Sequence, residues 1–265
     1  MPTREVAAQF DQISLVYDET RDPLDSETVD RLAEVLARVG VSSLLEVGVG
    51  TGRVAQPLVD RGIRVTGLDA SRGMLAKARG KGLVRLIRGS GYRLPFPNDT
   101  FDATLFVHVL HVLDDPSAAV REGARVSRRG VFALVHPRRE EGATPPRREE
   151  EPRRLVREAL QEQGYTVAPR SSPWTKERDL LSQMPPDSIQ VVGEKDVTES
   201  LRSRIDRMAK RGHRNLLSVP PEALRRAVEV ARERVGDRTV TYHRVEALAC
   251  WSPGRWSVAP DSVPA

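Results

Sequence analysis

The chain has 265 residues, of which 39% are hydrophobic and 30% charged, with a net charge of +5. That is apolar material for one large core or a core with an insert, and no run of 18 apolar residues exists to span a membrane. The single cysteine, Cys250, excludes an internal disulfide and a cysteine-based zinc cluster, no metal site is expected, and the absence of an apolar stretch in Met1–Val6 points to the cytoplasm.

In chain order, Phe10–Arg21 precedes the first periodic segment and contains Tyr17-Asp18. Asp22-Pro23 has the form of an N-cap followed by proline at the first helical position. Val29, Leu32, Ala33, Leu36 and Val39 then recur at helical spacing, predicting an amphipathic helix over 24–39 that Gly40 ends. Residues 43–47 form a first strand and 52–61 a helix stopped by Gly62.

Between them lies Glu46-Val47-Gly48-Val49-Gly50-Thr51-Gly52, an acid followed by three glycines at alternate positions. Glycine there permits positive φ and lets a ligand approach the backbone closely. The following helix start offers free N–H groups to a carboxylate or phosphate. A dinucleotide fingerprint would need G-x-G-x-x-G and a P-loop would need a following Lys; the loop offers only the permissive G-x-G-x-x-A from Gly50 and no Lys.

Ile63–Asp69 reads as the second strand and ends in an acid 19 positions after Gly50. A carboxylate at that offset suits the ribose hydroxyls of a nucleoside, and Asp69 also stands where it can cap the helix beginning near Ser71-Arg72-Gly73-Met74. Residues 83–88 form a third strand, 100–107 a fourth, 116–127 a helix after Asp115-Pro116, and 131–135 a fifth strand. His108 and His136 each follow a strand, and His111 lies three residues past His108.

The E-x-G-x-G-x-G loop resembles the first motif of the class I S-adenosylmethionine (SAM)-dependent methyltransferases. Gly89-Ser90-Gly91-Tyr92-Arg93-Leu94-Pro95-Phe96 is similar to that family's G-D-A-x-x-L-P-F segment, with Ser90 where the family has an Asp facing the adenine amino group. Phe101-Asp102 matches its F-D-x-v strand, and Arg128-Arg129-Gly130 stands where K-P-G-G often occurs. The similarity covers about residues 10–136 and is of the small-molecule type, like the ubiquinone and menaquinone biosynthesis methyltransferases. It implies a Rossmann-like, doubly wound α/β sheet of seven strands, mostly parallel with an antiparallel last strand. It implies SAM as methyl donor, with S-adenosylhomocysteine as product. It also implies a cofactor site of Glu46, Gly48, Gly50, Gly52, Asp69, Ala70, Met74, Gly89, Ser90, Gly91 and His108. Tyr17 falls in a segment that many such enzymes use as a lid. His108 is the first candidate for a general base, with His111 and Tyr17 also placed among the catalytic candidates.

Residues 137–238 differ from the core. A charged, proline-containing linker leads into helices at 152–163, 197–211 and 221–235, with a strand at 188–192. This segment is expected to be a mainly helical cap which, with the Tyr17 segment, closes over the acceptor side and sets substrate choice. Residues 239–252 are expected to return as an edge strand of the core, leaving 253–265 as a loose tail. A small-molecule acceptor is the favoured substrate. The basic cap leaves an RNA methyltransferase open, although interleaved acids and few aromatics argue against nucleic acid. A non-catalytic SAM-binding protein is also open, as is an NAD-dependent oxidoreductase.

Overall fold

The computed structural model describes residues 4–21, 24–135, 151–167, 174–210 and 214–253. Asp22-Pro23, His136, the linker up to residue 150 and the tail beyond 253 therefore lie outside the described residues.

Five apolar segments bounded by glycines or polar turns become parallel strands: β1 (Ser43–Val47), β2 (Arg64–Asp69), β3 (Leu86–Arg88), β4 (Ala103–Val107) and β5 (Val131–Val135). Two longer strands complete the sheet, β6 (Ser188–Ser200) and β7 (Thr239–Trp251), giving the order β3-β2-β1-β4-β5-β7-β6. β7 runs antiparallel to both neighbours, so six strands point one way and one the other. The strand order reverses between β1 and β4, and ligands of such sheets bind beyond the strand carboxyl ends at this switch point.

The crossovers are α3 (Ala55–Asp60), α4 (Arg72–Gly80) and α5 (Pro116–Arg125). Before the sheet come α1 (Arg4–Ile13) and α2 (Ser26–Arg38). One face of the sheet buries Leu32, Leu36, Leu44 and Leu58 under α2 and α3. The other buries Leu45, Phe106, Val120 and Trp251 under α5 and a further helix, α7 (Trp174–Gln183). Leu44 and Leu45 thus serve opposite layers, as strand alternation requires. At the amino ends of β1 and β4, Asp102 accepts hydrogen bonds from the backbone N–H and hydroxyl of both Ser42 and Ser43 and from Arg128. Partial desolvation alone would raise this carboxyl, but the Arg128 and serine donors hold it well below the usual range.

Three expectations change. The second helix starts at Ser26, and its cap is Asp25, whose carboxylate accepts from Thr28 N–H at 2.9 Å. The segment 188–192 extends as strand to Ser200, and the helix read from 197 starts at α8 (Leu201–Ala209), capped by Ser200. Glu194–Glu199 is polar except for Val197 and pairs with β7 in a ribbon beyond the sheet, so no alternating apolar pattern marks it in the sequence. Finally, the region 137–238 is not one continuous cap. α7 packs on the core and residues 188–192 pair with β7 at the edge of its sheet, burying Val192, while α6 (Glu151–Gln161), α8 and α9 (Pro221–Val235) form a separate apolar cluster around Leu160, Ile205, Leu216 and Ala227.

Candidate functional site

A cleft of about 720 Å³, including its part open to solvent, lies beyond the carboxyl ends of β1, β2 and β4. Gly48 and Gly50 follow β1, Asp69 ends β2 and Ala70 follows it, Gly89, Ser90 and Gly91 follow β3, and His108 follows β4; all line the cleft, as do Met74 of α4 and Tyr17. Parallel β-strands with right-handed crossovers place these loops on one edge.

The glycines have different physical roles. Gly48, Gly50 and Gly52 all have positive φ. A Cβ on Gly50 would meet nothing closer than the Gly48 carbonyl at 4.0 Å, so the space beside it is open to a ligand. A Cβ on Gly48 would come within 2.5 Å of Val109, which follows His108. Gly52 does not line the cleft: a Cβ there would be 2.5 Å from Leu83 Cδ1, so its glycine serves loop packing against α4 and the segment after it. This departs from the motif-based expectation of a cofactor role.

Asp69 ties the loops together. Its Oδ2 accepts from Gly50 N–H at 2.9 Å and its Oδ1 from Ser71 N–H at 2.8 Å. The cap of α4 is Ser71, whose hydroxyl accepts from Met74 N–H, so Asp69 is not the N-cap. Each Asp69 oxygen keeps a lone pair for a ligand hydroxyl. Burial pushes its pKa up, although the Ser71 and Gly50 donors oppose this.

Glu46 also departs from the expected lining. It is buried within β1 behind the loop, and its Oε2 has no hydrogen-bond partner among the described residues. Desolvation, reinforced by the negative field of Asp69, pushes its carboxyl up to about 8. Two neighbouring acids that resist ionisation form an environment suited to a cationic ligand group. The open position beside Gly50, the anchored Asp69 and this orphaned carboxyl together fit a ligand with hydroxyls and positive charge, as SAM has.

His108 has φ of +49°, a left-handed conformation that is uncommon outside glycine. Its Nε2 lies 3.8 Å from Oε2 of Glu246, a buried residue of β7. His111 sits on the 3-10 turn Leu110–Val112 and does not line the cleft. The same turn faces inward instead through Val112, and Leu113 follows it into the wall. Lys176 of α7 holds that wall by donating to the Leu113 carbonyl at 2.6 Å.

The N-terminal wall of the cleft begins earlier than Tyr17. α1 contributes Val6, Ala7 and Phe10 to the cleft, and Phe10 meets Tyr17 edge to face at 6.4 Å. Val6, Phe10 and Ile13 recur at helical spacing, a signal present in the sequence. Asp11 fixes the helix by accepting from Ser71 Oγ at 2.6 Å and Gly73 N–H at 2.8 Å. Asp18 accepts from Thr51 Oγ1 and pairs with Lys81 at 2.6 Å, joining the lid to the glycine loop. Glu246 is a further residue near the site that is absent from the motif-based set, because no local pattern marks it.

Residues 45–135 match the family model described as a methyltransferase domain. The chain is similar to the demethylmenaquinone methyltransferase of Renibacterium salmoninarum, with 34% identity over 136 residues, 49% of this chain and 57% of that protein. It is also similar to the phosphatidylethanolamine N-methyltransferase of Cereibacter sphaeroides, with 42% identity over 119 residues, 42% of this chain and 57% of that protein. The match therefore spans less than two thirds of either relative's length. Among solved structures, the YcgJ protein of Bacillus subtilis shares the fold, with a TM-score of 0.53 and 20% identity, covering 86% of this chain and 99% of that one. Residues 45–135 therefore match a methyltransferase domain, and the relatives similar to the chain over about half of its length are named as methyltransferases.

Proposed function

We propose that this protein transfers a methyl group from SAM to a small-molecule acceptor. The observation that carries the proposal is the convergence at one sheet edge of the open Gly50 position and the loop-anchored Asp69. The similarity to enzymes named for a quinone and a phospholipid supports the acceptor class. SAM supplies an electrophilic methyl on a sulfonium, which leaves as a neutral thioether when the acceptor's electron pair takes the carbon.

Rate then comes chiefly from holding the acceptor atom in line with that carbon. In this proposal the Gly48–Gly50 backbone and Asp69 position the donor, with Asp69 accepting from ribose hydroxyls. Ser90 and Gly91 border the adenine side, where Ser90 can accept a hydrogen bond without contributing charge. Glu46, neutral in the free protein, ionises more readily once the donor's positive charge lies near it, and then supports that charge from behind the loop. Phe10, Tyr17 and Leu113 exclude water around the reacting atoms. If the acceptor nucleophile carries a proton, His108 takes it, and Glu246 steadies the resulting imidazolium.

The division of labour follows the architecture. In this proposal the sheet edge holds the donor, and the acceptor side is bounded by α1 and Tyr17, with the cap in contact with that N-terminal segment. Lys210 of the cap pairs with Glu19 of the lid at 2.8 Å, a link that supports assigning substrate choice to this side. Calorimetry with SAM, followed by a screen of acceptors for S-adenosylhomocysteine production, tests the proposal. Binding with turnover supports it; SAM binding without turnover of any acceptor favours a non-catalytic SAM-binding protein.

A further inference from the structure

The cap places a guanidinium against the lid. Arg214 opens the 3-10 turn Arg214–Leu216, and its Cζ lies 5.1 Å from the centroid of the Phe10 ring. It donates Nη1–H to Gln9 Oε1 at 3.3 Å, a long contact for a charged donor. Phe10 and Tyr17 both line the cleft, and Tyr17 acts on Arg214 electrostatically. Arg214 itself does not line the cleft; it touches the wall ring Phe10 from the cap side.

Its charge is not matched locally. Among the described residues no carboxylate lies within ion-pair distance of it, and three acids of the N-terminal segment are engaged elsewhere. Glu19 pairs with Lys210, Asp18 with Lys81, and Asp11 accepts from Ser71 and Gly73. The contrast with other arginines is physical. Glu122 holds Arg125 above its ordinary pKa, and Arg204, although also desolvated, is held up by Glu199. Arg214 is pushed down by burial, opposed only by Tyr17. A second guanidinium, Arg21, lies 4.8 Å from the Tyr17 ring, so the Phe10–Tyr17 pair is flanked by positive charge.

A half-desolvated guanidinium with most of its five N–H donors unspent is a receptor for a planar or tetrahedral oxyanion. We propose that Arg214 binds a carboxylate or phosphate group carried by the methyl acceptor, with Arg21 adding to the field. The word acceptor rests on the methyl-transfer proposal; the anion site does not. In this arrangement the acceptor bridges cap and lid by its charged end, while its nucleophilic end reaches toward His108.

The test is titration calorimetry of the full chain with S-adenosylhomocysteine present. The probes are benzoate and phenyl phosphate as anions, with benzamide and phenol as neutral counterparts. The parent protein is expected to bind at least one anion roughly tenfold or more tightly than its neutral counterpart. Arg214→Gln should abolish that preference, and Arg214→Lys should keep part of it. The preferred anion distinguishes carboxylate from phosphate. No preference in the parent, or a preference that survives Arg214→Gln, overturns the proposal. Arg214→Lys keeps the comparison decisive if the Gln variant fails to fold. Repeating the titrations without S-adenosylhomocysteine separates the two ideas: absent cofactor binding would sink methyl transfer, while the anion preference would still decide Arg214.

Discussion

The Gly50 N–H donates to Asp69 Oδ2 at 2.9 Å, so the glycine loop after β1 and the acid ending β2 form one unit. Asp69 also accepts from Ser71 N–H. Replacing it by alanine therefore leaves two backbone donors short of an acceptor. Asp69→Ala is expected to lower SAM affinity and also to cost about 1–3 kcal/mol of stability without ligand. That corresponds to roughly 2–4 °C in Tm per kcal/mol for a chain of this size. Asp69→Asn, which keeps one carbonyl oxygen, should lose less of both. A large fall in Tm with unchanged SAM affinity would make Asp69 purely structural.

Gly50 and Gly52 separate binding from packing. An alanine at Gly50 carries a left-handed cost of about 1–2 kcal/mol but meets no protein atom within 4 Å except the Gly48 carbonyl at that limit. An alanine at Gly52 carries the same backbone cost and also drives its Cβ into Leu83. Gly50→Val should remove SAM binding with modest loss of Tm, whereas Gly52→Ala should lower Tm more and affect SAM affinity less. Thermal melts and calorimetry on the two variants check this, and equal effects on both readouts would contradict it.

How far the sequence carries the fold is visible in particular elements. β1, β2, β4 and β5 are short apolar runs closed by glycine or polar turns, and their pattern alone marks them. α1 is legible in the spacing of Val6, Phe10 and Ile13, but the family resemblance reaches back only to Phe10, so its first turns carry no motif. β6 beyond Val192 is illegible, because its own residues are polar except for Val197 and its register depends on β7. In the cleft, Gly50 and Gly52 look alike in sequence, and only Leu83 tells them apart. Glu246 reaches His108 through strand order, which no local motif encodes.

Glu46 predicts a pH dependence. Its folded pKa of about 8 lies above the ordinary 4.5, so between these values the folded state binds a proton that the unfolded state does not. The stability this group contributes is present below about pH 4.5 and is lost as pH rises through 8. Asp69, shifted in the same direction, adds to the trend. Relative to the parent, Glu46→Gln should become progressively more stable from pH 5 to pH 9 in the absence of ligand. Parallel stability curves for the two proteins over that range would contradict the buried neutral carboxyl.

Asp102 predicts the opposite trend at the far end of the sheet. Its pKa is depressed, so its contribution is present above the ordinary carboxylate pKa and is lost as pH falls below about 4. Asp102→Ala should cost about 3 kcal/mol at neutral pH, by freeing the Ser42, Ser43 and Arg128 donors together. SAM affinity should hardly change, because Asp102 lies at the amino ends of the strands. Chemical denaturation at pH 7 and pH 3 would show this, and a variant equally destabilised at both would refute it.

The measurement that bears most directly on the central claim is calorimetric titration of the parent protein with SAM and, separately, with NAD. The convergence of Gly50, Asp69 and Glu46 at one sheet edge predicts micromolar-class binding of SAM, no binding of NAD, and loss of the SAM signal in Gly50→Val. A folded parent protein that gives no heat with SAM, or that binds NAD instead, would contradict the account.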